Sequence, residues 1–179
     1  GSMERYVRLL LAFLHAATAP GSGAGSGAGR RDVFAFGTAL TDLTPAFASQ
    51  DPDAMLARAG AAIADYAGGT RLAASLAQLR TQHARRLVGR RTLVLLVSDG
   101  LATDEPAALA QELAWLRRHS ARLLWLNPLL RFAAYAPVAR GAAELHRAAD
   151  AMLAVHNLQS LQQLAASLAE VLRAPPRQR

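Results

Sequence analysis

"TLVLLVSDG", Thr92–Gly100, is the most strand-like run in the chain. It is apolar without a break from Leu93 to Val97 and stops at Ser98-Asp99-Gly100. Alternating polar and apolar residues would mark a strand with one wet face. An unbroken apolar run marks a strand covered on both faces, the habit of parallel sheets packed between helices.

Downstream, Thr103-Asp104-Glu105-Pro106 is a helix start signal, and Glu105–His119 reads as a helix. "RLLWLNP", Arg122–Pro128, reads as a second buried strand halted by proline. Ala139–Ala148 reads as a short helix, "AMLAVH" (Ala151–His156) as a strand and Ser160–Leu172 as a last helix. Upstream, a helix over Arg71–Leu87 places Leu72, Leu76, Leu79 and His83 on one face. "YAGGT" separates it from a helix over Asp51–Asp65, with Pro52 in its first turn and Met55, Ala59, Ala62 and Ile63 along one face. "DVFAFG" (Asp32–Gly37) and "TALTDLT" (Thr38–Thr44) read as two strands joined by a turn at Gly37-Thr38. Met3–Ala17 reads as an amphipathic helix, with Ser2 available as its N-cap. Positions 19–31, built on "PGSGAGSGAGR" at Pro20–Arg30, are a flexible connector by composition.

Strands alternating with helices predict an α/β fold, a doubly wound Rossmann-like and mostly parallel sheet flanked by helices. The expected organisation is one domain over residues 1–172, followed by a disordered tail over 173–179.

The composition narrows the function. The chain has 179 residues, enough for one domain with a hydrophobic core. At 52% hydrophobic and 18% charged residues it is not an intrinsically disordered chain. No apolar run approaches the length of about 20 residues that a spanning helix needs. The absence of cysteine excludes disulfides, thiolate metal sites and a cysteine nucleophile. Without a secretory signal pattern, the expected location is the cytoplasm. The net charge of +7 comes from arginine alone, because lysine is absent. Arg85, Arg86, Arg90 and Arg91 form the one dense cluster. No aromatic interleaving or reader motif accompanies it, so nucleic-acid binding is not expected. A solvated helix end or a surface for an acidic protein partner are the remaining readings.

In doubly wound sheets, ligands sit outside the carboxyl ends of the strands. Three residues stand out on that rule: Asp99 at the end of the most apolar strand, Thr70 after two glycines before a helix, and Ser2 before the first helix. All offer hard oxygen donors, which suit Mg²⁺, Mn²⁺ or Ca²⁺ and not zinc. Each also has a plainer reading. Asp-Gly is a common turn, Thr70 can N-cap the helix behind it, and Ser2 can be vector sequence. The five histidines include no i, i+4 pair and read as helix-surface or loop residues. Neither a nucleophile elbow nor a P-loop is present, and "GSGAGSGAG" precedes a strand where phosphate cradling needs a helix. Asp42, Asp65 and Asp104 read as turn, cap or outer groups, and Trp115 and Trp125 as core.

Six stretches in order carry a resemblance. "GSMERYVRLLLAFLHA", "FAFGTALTDLT", "DYAGGTRLAASL", "LVLLVSDG", "LLWLNPLL" and "AVHNLQSL" together resemble a von Willebrand factor A (VWA) domain of the CoxE-like family. The resemblance covers nearly the whole chain outside the connector. It implies a metal-ion-dependent adhesion site, in which Asp-x-Ser-x-Ser, a Thr and an Asp come from three loops. Ser2, Thr70 and Asp99 match ligand positions of that site. The first Asp and first Ser of the motif, and the strand before them, would fall upstream of Gly1. The chain thus resembles an N-terminally truncated member whose first central strand is missing. With one carboxylate in place of two, weak or undetectable Mg²⁺ binding is expected. The resemblance further implies a non-enzymatic protein-binding domain. It would work with a MoxR-type AAA+ ATPase in maturing a metalloenzyme, such as a molybdenum hydroxylase or carbon monoxide dehydrogenase. The rival expectations are a Mg²⁺-dependent phosphotransfer or hydrolase domain using Asp99, and a metal-free structural module.

Overall fold

The computed structural model describes residues 2–19, 30–63, 70–127 and 139–154, together with positions 166 and 170; for residues 2–6 and 154 it describes the backbone alone. The expected helix over Ser160–Leu172 and the expected tail lie outside these residues, apart from those two helical positions. The chain is mixed α/β, and it forms two compact units. Among the described residues, the first takes the chain up to Ala35 and from Thr41 to Ile63. The second takes Phe36–Leu40, Thr70–Asn127 and Ala139–Ala154.

The first unit holds α1 (Ser2–Ala17), α2 (Thr44–Phe47) and α3 (Pro52–Ala62). Strands β1 (Phe34–Phe36) and β2 (Leu40–Asp42) pair as a two-stranded sheet, and just outside it the Leu43 N–H donates to the Val33 carbonyl. The second strand was expected to reach Thr44 and stops at Asp42. The Asp42 carboxylate accepts the Thr44 N–H at 2.8 Å, and Pro45 then suits a helix start better than a ladder, so the chain turns into α2. In α3 the Asp51 carboxylate caps the Asp53 N–H at 3.1 Å, with Pro52 in the first turn. Met55 and Ala59 are fully buried as their spacing predicts, in a cluster with Leu43, Ala46 and Phe47, while Ala62 is exposed because the helix ends there.

Arg31 fastens this unit without a carboxylate. Its guanidinium donates to the His15 carbonyl and the Thr18 hydroxyl, both at 2.9 Å, and to the Phe47 carbonyl at 2.6 Å, and it sits over the Phe47 ring. Burial pulls its pKa below the ordinary value. These bonds satisfy open carbonyls at the ends of α1 and α2, where a positive charge also suits the helix dipoles. His15, expected on a helix surface, is instead buried: its Nε2 bonds the Ser49 carbonyl at 2.6 Å and its ring meets Phe47 edge-on. A ring whose Nε2 is satisfied can be buried among apolar neighbours.

In the second unit, β3 (Leu93–Val97), β4 (Arg122–Asn127) and β5 (Ala151–Ala154) form a parallel sheet in that order. Leu95 pairs with Leu124, and Leu126 with Leu153. The connections run through α6 (Pro106–His119) and α7 (Arg140–Ala148), as parallel neighbours require. The single helix expected over Arg71–Leu87 is two, α4 (Leu72–Gln82) and α5 (Ala84–Leu87), parted at His83. Two residues before the break, the Thr81 hydroxyl donates back to the Ala77 carbonyl at 2.9 Å and the Gln78 carbonyl at 3.2 Å, which weakens the helical ladder.

The core joins Leu72 and Leu76 of α4, Leu109, Leu113 and Leu116 of α6, Leu123 and Trp125 of β4, and Leu145 of α7. Trp125 has no exposed surface, and its indole N–H donates to the Ser98 carbonyl at 2.8 Å, so the ring is buried without a polar cost. Trp115, read as core, is only partly buried and stacks on His119. Arg80 and Glu112 tie α4 to α6 by two bonds of 2.8 and 2.9 Å. The hydrogen bond and charge of Glu112 hold the Arg80 guanidinium above its ordinary pKa.

Candidate functional site

The carboxyl end of β3 is a turn fixed on all sides. Ser98 donates its N–H to the Leu126 carbonyl and accepts the Trp125 indole, so its backbone is anchored to the neighbouring strand. The Ser98 hydroxyl accepts the Gly100 N–H at 3.0 Å, and Asp99 Oδ1 accepts the Leu101 N–H at 2.9 Å. Gly100 adopts φ +81°, a left-handed conformation that favours glycine. A Cβ there would lie 2.6 Å from the Ala142 Cβ, so the turn presses directly on the first turn of α7. Gly141 reciprocates, since its own Cβ would lie 2.7 Å from the Gly100 carbonyl. Asp99 is thus carried by a rigid Asx-type turn, as the Asp-Gly sequence predicts, and its carboxylate remains half-exposed.

Thr70 sits on the same rim. Its carbonyl accepts both the N–H and the hydroxyl of Thr103, each at 3.0 Å, four residues after Asp99. The next N–H, of Arg71, donates to the Gly37 carbonyl at 3.0 Å. Thr70 does not cap α4. Arg71 holds the cap position, and the carboxylate of Asp104 supplies the missing acceptor by taking the Ala73 N–H at 3.0 Å. The Thr70 hydroxyl has no hydrogen-bond partner among the described residues. Beside this rim an open cleft of about 430 Å³ runs between α4 and α6, lined by Arg71, Ala74, Ala77, Glu105, Ala108 and Gln111.

The structure therefore brings Thr70 and Asp99 to one end of the second unit. Ser2 opens α1 in the first unit, and its side chain is not among those described. Asp42 serves a turn, as read, and Asp65 lies outside the described residues. Among the described residues no three His, Asp or Glu side chains gather closely enough to hold a metal. In kind, the Thr70 hydroxyl and Asp99 carboxylate suit a hard divalent cation such as Mg²⁺; in number, they supply a single charge. The residues missed by sequence reasoning are Thr103, which locks the Thr70 loop, and Gly141, which receives the Asp99 turn. A glycine at the second position of a helix was the available signal for the latter.

A parallel sheet whose strands are joined through helices defines a Rossmann-like α/β domain. The profile of the family described as "VWA domain containing CoxE-like protein" matches residues 1–161. The chain belongs to that family. Neither the curated proteins nor the solved structures give a significant match.

Proposed function

We propose that this VWA domain is a non-enzymatic protein-binding module whose rim uses a divalent cation to engage a partner's carboxylate. The observation that carries the reading is that the Thr70 carbonyl is bonded by Thr103, four residues beyond Asp99, while the Thr70 hydroxyl has no partner among the described residues. Thr70 and Asp99 would hold the ion together with waters. The ion would supply positive charge at an open coordination position. The chain's own contribution is to hold a carboxylate and a hydroxyl on backbone tied by the Thr70–Thr103 and Ser98–Leu126 bonds, which lowers the ordering cost of binding. Leu101, 60% exposed beside Asp99, offers an apolar contact at the same place. Family membership supports a MoxR-type AAA+ ATPase as the partner and a metalloenzyme, such as a molybdenum hydroxylase or carbon monoxide dehydrogenase, as the client. An enzymatic rival would need a second catalytic group beside Asp99.

Mn²⁺ titration followed by amide NMR tests the site even at weak affinity. Paramagnetic broadening should centre on Thr70 and residues 99–103 and disappear in Asp99→Ala. Broadening centred elsewhere, or unchanged by Asp99→Ala, would remove the cation from the proposal.

A further inference from the structure

The end of the second unit opposite the rim carries the other charge. In a parallel sheet with helical crossovers, every helix delivers its C-terminus to the amino ends of the strands. Here α5 brings Arg85 and Arg86, α6 brings Arg117 and Arg118, and α7 brings Arg147, with Arg122 opening β4. The carboxylates described at this end are already engaged. Glu144 holds Arg147 at 2.7 Å, and Asp150 accepts the Leu123 N–H at 2.7 Å.

The densest part is also the best built. The chain leaves α5 into a tight turn in which the Gly89 carbonyl accepts the Thr92 N–H at 2.9 Å, placing Arg90 and Arg91 at its two central positions. The Thr92 hydroxyl lies inside the turn. It accepts the Gly89 N–H at 2.9 Å and donates to the Leu87 carbonyl at 3.0 Å. The Thr92 carbonyl accepts the Ala121 N–H at 2.8 Å, which pins the turn beside the start of β4. Arg85, Arg86, Arg90 and Arg91 are all exposed, and none makes an ion pair among the described residues. The sequence supplies no local counter-charge: from Tyr66 to Ser98 there are six arginines and no Asp or Glu.

We infer that the Arg85–Arg91 turn is a docking surface for an acidic segment of a partner protein, one that presents adjacent carboxylates. Guanidinium groups match carboxylates bidentately, and a turn already fixed by Thr92 loses little further freedom on binding. A second copy of this chain is a poor occupant, because a net charge of +7 sets copies against each other. Nucleic acid fits less well than acidic protein. No Phe, Tyr or Trp occurs between Tyr66 and Trp115, and Trp115 is stacked on His119, so the surface lacks the large aromatic platforms that nucleic-acid binders use. The surface is remote in the unit from Thr70 and Asp99, and the inference stands independently of a cation there.

Fluorescence anisotropy with a labelled peptide rich in Glu-Glu pairs tests it, using the whole chain at fixed ionic strength. The double variant Arg90→Gln/Arg91→Gln should weaken binding by about tenfold or more, as loss of bidentate charged bonds does. Arg58→Gln/Arg140→Gln removes the same charge from exposed positions elsewhere and should change affinity by less than about twofold. Arg90→Lys/Arg91→Lys keeps the charge and the fold and should fall between wild type and the glutamine variant. Absence of peptide binding by the wild type, or equal losses in the two glutamine variants, overturns the inference. Tighter binding of a DNA or RNA oligonucleotide than of the peptide in the same buffer also overturns it.

Discussion

Strands β3 and β4 read almost alike in sequence and live differently in the fold. "LVLLV" and "RLLWLN" are both apolar runs, and they pair residue for residue. Every residue of β4 from Leu123 to Asn127 is buried, whereas in β3 only Leu96 is. β4 has a strand on each side and packs with α6 and α7; among the described residues β3 has β4 as its one strand neighbour. The expectation that β3 is covered on both faces is therefore met by β4 instead. Continuous apolarity reports that a strand belongs to a parallel sheet. It does not report whether the strand is at the middle or the margin. β3, with one strand neighbour among the described residues, is the strand that carries the candidate carboxylate. Its stability is lent by the central strand, through the Trp125 indole and the Leu126 carbonyl that grip Ser98.

Substitutions can break or sharpen this contrast. The largest effect should come from Leu124→Ala, which empties a fully buried site and should cost about 2–5 kcal/mol in urea unfolding. Next comes Gly100→Ala. It forces a left-handed residue into contact with Ala142 at 2.6 Å and should cost roughly 2–3 kcal/mol, with the loss shared by β3's end and α7. Leu95→Ala, the register partner of Leu124, should cost only about 1 kcal/mol, since that side chain is half-exposed. Equal costs at Leu95 and Leu124 would mean that the face of β3 is as covered as that of β4. Asp104→Ala should also cost about 1 kcal/mol by uncapping α4, and Asp104→Asn, which keeps the acceptor oxygen, only a few tenths.

What the sequence made legible was local. The spacing in α3 foretold Met55 and Ala59, and the apolar run of β3 foretold that Asp99 would stand just past a strand end. What it hid were bonds between distant positions. Asp104 caps a helix 31 residues upstream of it, and His15 is buried because a carbonyl 34 residues later accepts its ring. Periodicity compares a residue with neighbours one turn away, so it cannot see such partners. For the same reason the Thr70 loop looked like a free N-cap, when in the fold a later threonine holds it from across the rim.

The arginine turn and the Asp99 rim lie at opposite ends of one small unit, and this separation has a kinetic consequence. The net charge of +7 favours the proposed acidic segment and opposes the proposed cation at long range, and because each would use a different end the two would not compete. Raising the salt concentration shortens the reach of both fields together, to about 8 Å at physiological ionic strength. Association of the acidic segment should therefore slow as ionic strength rises, whereas that of the proposed cation should not, and dissociation, set by contacts already made, changes less.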